Sequence, residues 1–252
     1  MNNRCGLVSI SFRDKSCDEI IDIAKKAGLG FIEWGSDVHC PVNDIENAKL
    51  IGGKSREAGI NTYCYGSYFR VGITPVSEFE SYCLTAKALG AKCIRVWAYN
   101  KQSFLCDDIE EERVIKEAQQ VFAIAKRYDL FVNFEYHRGC LTERIDGALK
   151  LFSKLDNEVL RIHWQPNPEI TVEENLKELD ALPRVDIVHV FAWTFENGEN
   201  VRHPLYNHHL TWREYISHAT GKNKDCIFEL EFFRDDSINQ MLDDAQTLSE
   251  II

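Results

Sequence analysis

Short apolar runs alternate with amphipathic stretches along the whole chain, and this alternation predicts repeated strand–helix units. The first strand is read over about residues 5–12, and its helix opens with the capping box Ser16-Cys-Asp-Glu19 and closes at Gly28. A second strand ends at Trp34, and beyond the loop from Gly35 to Pro41 a helix runs to about Ala58, with Gly59 as its stop. The third strand, Ile60 to Tyr65, leads to a helix that starts at Thr74-Pro75 and ends near Leu89, capped by Gly90. The fourth is Cys93 to Trp97, and the helix over about residues 107–128 opens with acids that suit its positive end. The fifth strand lies in Leu130 to Arg138 and is followed by a helix over about 142–155. The sixth, Val159 to Trp164, precedes a helix that opens with the capping box Thr171-Val-Glu-Glu174 and stops before Pro183. The seventh, Val185 to Phe191, is followed by a long polar loop and a third capping box, Thr211-Trp-Arg-Glu214. The eighth, Cys226 to Phe232, feeds a last helix from Ser237 to Ile251.

Strands joined through helices run parallel, because each crossover returns the chain to the same end of the sheet. Eight such units in 252 residues predict an α/β fold, a (β/α)8 TIM barrel forming one domain over residues 1–252. A doubly wound open sheet is the runner-up, but no Gly-x-Gly-x-x-Gly follows any strand.

In a barrel the active site forms at the C-terminal strand ends, and here those ends are polar. Glu135 and His137 leave the fifth strand on one face, while Gln165, His189 and Glu231 end the next three. Two carboxylates, an imidazole and an amide oxygen make a mostly oxygen set for Mn²⁺, with Mg²⁺, Co²⁺ or Zn²⁺ as alternatives. The structural alternative is a polar network in which Arg95 or Arg202 neutralises the acids. Glu229 lies one pleat deeper than Glu231 and is an open alternative as ligand. His137 is read as a substrate contact or a support behind the ligands, and His163 as structural. Glu33 and Arg95 form a buried ion pair or touch substrate. Trp34, Trp97 and Trp193 are placed at the mouth as an apolar wall, and His39 is read as a hydroxyl contact or a surface histidine. His208 and His209 are left to solvent.

The formal charge of −11 opposes a nucleic-acid partner. The apolar runs are shorter than the ~20 residues that span a bilayer, and the opening Met-Asn-Asn-Arg lacks the apolar core of a leader, so a cytoplasmic protein without membrane attachment is expected. The nine cysteines form no Cys-x-x-Cys pair and read as reduced core residues.

Over essentially its whole length the chain resembles the sugar phosphate isomerase/epimerase family with the xylose isomerase-like TIM barrel. The resemblance is carried by Glu33-Trp-Gly-Ser-Asp-Val-His39, Ser67-Tyr-Phe-Arg70, Ile94-Arg-Val-Trp97, Glu135-Tyr-His-Arg138, Trp164-Gln-Pro-Asn167, His189-Val-Phe and Leu230-Glu-Phe-Phe-Arg-Asp-Asp236, in that order at consecutive strand ends. It implies a divalent metal held by Glu135, Gln165, His189 and Glu231, with Glu135 and Glu231 as catalytic base and acid. Gln165 replaces the family's Asp, and Pro168 stands where a second His is common. The implied reaction is sugar isomerisation or epimerisation on a ketose, sugar acid or sugar phosphate through a metal-bound enediolate, with His137, Arg95, Trp97, Glu33, His39 and Arg202 about the substrate. A homodimer is also implied.

Three rivals stand beside this reading. A 3-dehydroshikimate dehydratase-like lyase shares the enolate and the run Glu135-Tyr-His137, but Phe191 replaces that branch's lysine. An endonuclease IV-like enzyme is opposed by the charge and by too few ligands. A metal- or carbohydrate-binding barrel without catalysis fits Gln165 and Pro168.

Overall fold

The strands are apolar runs with single polar residues set among them, and the pleat of a parallel barrel sorts these between its inner face and the face under the helices. The computed structural model describes residues 2–156 and 158–252. Its barrel strands are β1 (Asn2–Val8), β2 (Leu29–Gly35), β3 (Cys64–Val71), β4 (Cys93–Ala98), β5 (Phe131–Glu135), β6 (Leu160–Trp164), β7 (Ile187–Val190) and β10 (Ile227–Leu230), and β8 (Trp193–Glu196) and β9 (Glu199–Arg202) form a separate antiparallel hairpin. The barrel is closed and parallel in the order β1-β10-β7-β6-β5-β4-β3-β2, sealed by Gly6 opposite Glu229 and Leu7 opposite Leu230.

The helices are α1 (Cys17–Lys26), α2 (Ile45–Glu57), α3 (Phe79–Leu89), α4 (Asp108–Arg127), α5 (Ile145–Phe152), α6 (Val172–Ala181), α7 (His209–Lys222) and α8 (Ile238–Ile251). Phe134 points outward from β5 to stack near Phe122 of α4, at 6.1 Å, and Phe152 of α5, at 6.0 Å. Its neighbours Asn133 and Glu135 therefore face inward, because successive side chains on a strand take opposite sides.

Local chemistry explains most boundaries. Ser16 and Thr171 cap α1 and α6 with full capping boxes, and Asp107 with Glu110 forms another at α4. The expected box at Thr211 is not used, since α7 starts at His209 after a 3-10 turn over Leu205–His208. Nor does a helix start at Pro75, which instead precedes a 3-10 turn, Val76–Glu78, ahead of α3. The polar loop after β7 holds the β8–β9 hairpin, turned by Asn197 and Gly198 with φ of 51° and 89°. All nine cysteines are free. No helix among the described residues is long and apolar enough to cross a membrane.

Candidate active site

Six positions in or just past the apolar strand cores meet in a cavity of about 240 Å³ at the C-terminal end of the barrel. Arg95 and Trp97 enter from β4, Glu135 and His137 from β5 and its exit, Gln165 from the end of β6, and Glu231 from the end of β10. Trp193 brings the hairpin to the wall, beside Phe191 and Phe232. Tyr68 and Arg13 complete the rim, joined to each other at 3.0 Å and both to Asp37. Phe232 holds φ at 49°, an uncommon backbone state for an aromatic residue, and Ser11 Oγ accepts its N–H at 3.0 Å.

The cavity floor is a buried charge network. Arg95, 1% exposed, donates from Nε to Glu33 Oε1 at 2.9 Å and from Nη1 to Glu135 Oε2. Trp97 Nε1 also donates to that Glu135 oxygen. Gln165 Nε2 lies 3.2 Å from Glu135 Oε1. His189 Nδ1 stands 3.5 Å from both Glu135 Oε1 and Glu231 Oε2, and neither of its ring nitrogens has a hydrogen-bond partner.

The two carboxyls differ in proton affinity. Burial opposes the charge of Glu135, but Arg95 overcomes it and holds the group well below the usual carboxylate range. Glu231 is shifted the other way, raised by burial that His189 only partly offsets. Burial also disfavours charge on His189, yet Glu231 and then Glu135 lift it to about 9. A positive charge between the two glutamates is what this arrangement calls for.

No protein-family model matches the chain, and no curated protein matches it. Solved structures do. The probable 3-DHS dehydratase AsbF involved in petrobactin synthesis, from Bacillus anthracis, is 18% identical with a TM-score of 0.82, the match covering 98% of each chain. D-psicose 3-epimerase in the presence of D-fructose is 12% identical with a TM-score of 0.72, over 98% of this chain and 97% of that one. The IolI protein with a bound zinc atom is 12% identical with a TM-score of 0.73, over the same shares. The chain has the xylose isomerase-like barrel fold.

Within this xylose isomerase-like barrel, the expected metal set Glu135, Gln165, His189 and Glu231 does come together. The residues fit a divalent cation: a buried imidazole without a hydrogen bond faces two carboxylate oxygens at 3.5 Å, about the donor spacing around an ion with bonds near 2.1 Å. His137 lines the cavity with its ring 5.4 Å from Trp97 and Nδ1 at 2.6 Å from the Arg138 carbonyl.

Glu33 is wholly buried beneath the cavity as the ion-pair partner of Arg95, the first of its two expected roles, and does not line the cavity as the alternative substrate contact would. Three other expected placements need correction. His39 is 5% exposed, with its ring nitrogens at 3.1 Å from Ser9 Oγ and the Lys15 carbonyl, which uses both of its polar atoms for structure. Arg202 pairs with Asp236 at 2.5 Å, lies over Phe232 and is not among the residues that line the cavity. Trp34 faces outward and donates to Ser55 Oγ of α2 at 3.2 Å, because its strand position points away from the barrel axis. Arg13, Tyr68 and Phe232 were not foreseen as lining residues: Phe232 lies just past β10, Arg13 follows the 3-10 turn after β1, and Tyr68 sits in the outer half of β3, near its C-terminal end.

Proposed function

We propose that the protein is a sugar isomerase or epimerase that moves a proton next to the carbonyl of a ketose, sugar acid or sugar phosphate. One observation supports this above the rest: the carboxyls of Glu135 and Glu231 face one small cavity, with His189 Nδ1 at 3.5 Å from an oxygen of each. The fold shared with an epimerase and a dehydratase agrees with chemistry through an enolate. A cavity of about 240 Å³ suits a molecule of roughly monosaccharide size.

In this reading Glu135 accepts the proton from the substrate carbon, and Arg95 and Trp97 keep its oxygen aimed and ionised. Glu231 returns a proton to the opposite face for epimerisation, or to the neighbouring carbon for isomerisation. Trp97, Trp193 and Phe232 exclude water and offer flat apolar faces to sugar C–H groups. His137 stands at the wall for a hydroxyl. Glu135, Gln165, His189 and Glu231 would hold a divalent cation, Mn²⁺ first, which when bound polarises the carbonyl and offsets the charge that develops beside it. The test is proton exchange: the Mn²⁺-loaded protein is incubated with a panel of ketoses and sugar acids in D₂O and followed by NMR. Deuterium at the carbon next to the carbonyl is expected, and its absence across the panel refutes the reading.

A second reading rests on the TM-score of 0.82 to the probable dehydratase. There the enolate expels water instead of regaining a proton, and formation of protocatechuate from 3-dehydroshikimate, seen by ultraviolet absorbance, identifies it.

A further inference from the structure

Beneath the cavity the barrel interior holds a second group of donors, which shares only His189 with the mouth set. Glu33 of β2, His163 of β6, His189 of β7 and Glu229 of β10 are all 0% exposed, and each offers one ligand atom lying within 4.8 Å of the others. Glu33 Oε2, both oxygens of Glu229 and both ring nitrogens of His163 and His189 lack any hydrogen-bond partner. Orphaned polar atoms on four converging side chains in a protein interior are costly unless something joins them.

The backbone around them is cut away to admit these groups. A Cβ on Gly6 of β1 would lie 2.9 Å from Glu229 Cγ, and one on Gly66 of β3 would lie 2.6 Å from Glu33 Oε1. Each glycine thus gives up its interior position to the carboxylate of a neighbouring strand. Charge points the same way. Among the described residues, the buried acids Glu33, Glu135, Glu229 and Glu231 share the interior with one buried guanidinium, Arg95, which pairs with Glu33 and Glu135. Glu229 has no ion-pair partner among the described residues, and both of its oxygens are open to a cation.

We propose that Glu33, His163, His189 and Glu229 form a divalent-cation site enclosed in the barrel, one layer below the mouth and suited to Zn²⁺. Imidazole and carboxylate are both zinc donors, and donors around a tetrahedral ion stand about 3.4 Å apart, so movements of each side chain by under ~1 Å close the group. The ion joins β2, β6, β7 and β10 across the interior and fixes the ring of His189 below Glu135 and Glu231. This site goes beyond the catalytic reading and does not depend on it: the mouth set has one imidazole, the deep set has two.

The ligand count is therefore the test. The Glu231→Gln variant, which weakens the mouth set, is stripped with EDTA, reloaded with Zn²⁺, and examined by elemental analysis and zinc K-edge X-ray absorption. One zinc per chain with two imidazoles in its shell is expected, together with at least a tenfold loss of zinc affinity when Glu229→Gln alone is made in the wild-type chain. A shell with one imidazole, no retained zinc, or wild-type affinity in a folded Glu229→Gln variant overturns the proposal. Should Glu229→Gln fail to fold, the imidazole count still decides, because it needs no further substitution. Sugar exchange plays no part in these readouts, so failure here leaves the proton-transfer reading standing.

Discussion

Arg95 Nε donates to Glu33 Oε1 across 2.9 Å, linking β4 to β2 over Gly66 of β3 on the inner wall of the barrel. The same guanidinium holds Glu135, so one side chain supports both the barrel floor and the proposed base. Arg95→Met should leave both carboxylates buried without their cation. A loss of about 3–5 kcal/mol in urea unfolding is expected, whereas a loss below ~1 kcal/mol would show that the network is dispensable.

Glu135→Gln preserves the shape of the side chain and removes the basic oxygen. Proton exchange from substrate into D₂O should fall by roughly 10²–10⁴-fold with the circular dichroism spectrum unchanged. A variant that still exchanges at the wild-type rate removes Glu135 from the chemistry.

Gln165 contributes a neutral amide beside Glu135 Oε1, at 3.2 Å. Gln165→Asp restores one negative charge at the mouth, and calorimetric titration should show Mn²⁺ binding tightened by about tenfold or more, since ligand charge tunes affinity for hard cations. Unchanged or weaker binding would place the cation away from Gln165.

Asp244 of α8 accepts from the Leu205 N–H and from Gln240 Nε2, both on Oδ1 at 2.8 Å, and burial raises its pKa to about 6. A carboxyl whose folded value lies above its ordinary 3.8 destabilises the fold once ionised, so the penalty grows as pH rises from about 4 through 6 and is complete above that. Asp244→Asn keeps Oδ1 and cannot ionise. Thermal melting should show the variant more stable than wild type at pH 8, by ~1–3 kcal/mol, with the difference vanishing near pH 4. A difference independent of pH would trace the effect to packing instead.

Seven of the eight barrel strands and most helix starts were legible because their signals are local, whereas the third strand, read over Ile60 to Tyr65, runs over Cys64–Val71. Parallel strands buried on both faces write themselves as apolar runs, and the Ser16 and Thr171 boxes satisfy their own helix ends within four residues. The gathering of Glu135, Gln165, His189 and Glu231 was legible too, since a closed parallel barrel brings all C-terminal strand ends to one rim. The β8–β9 hairpin was missed although Asn197-Gly198 announces it, because its flanking residues are too polar to read as strands.

What the chain alone determined was therefore which residues stand at the strand ends and on which face of a strand they sit. Only the tertiary structure decided what those residues meet. Trp34 turned out to face α2 and His39 to bond Ser9 and Lys15, while Arg202 went to Asp236. Only closure of the barrel set Glu229 and Glu33 beside His163, each carboxylate in space cleared by a glycine on an adjacent strand. The reason is physical: strand periodicity is a property of neighbouring residues, whereas burial, charge pairing and the empty space left by Gly6 and Gly66 depend on strands far apart in sequence.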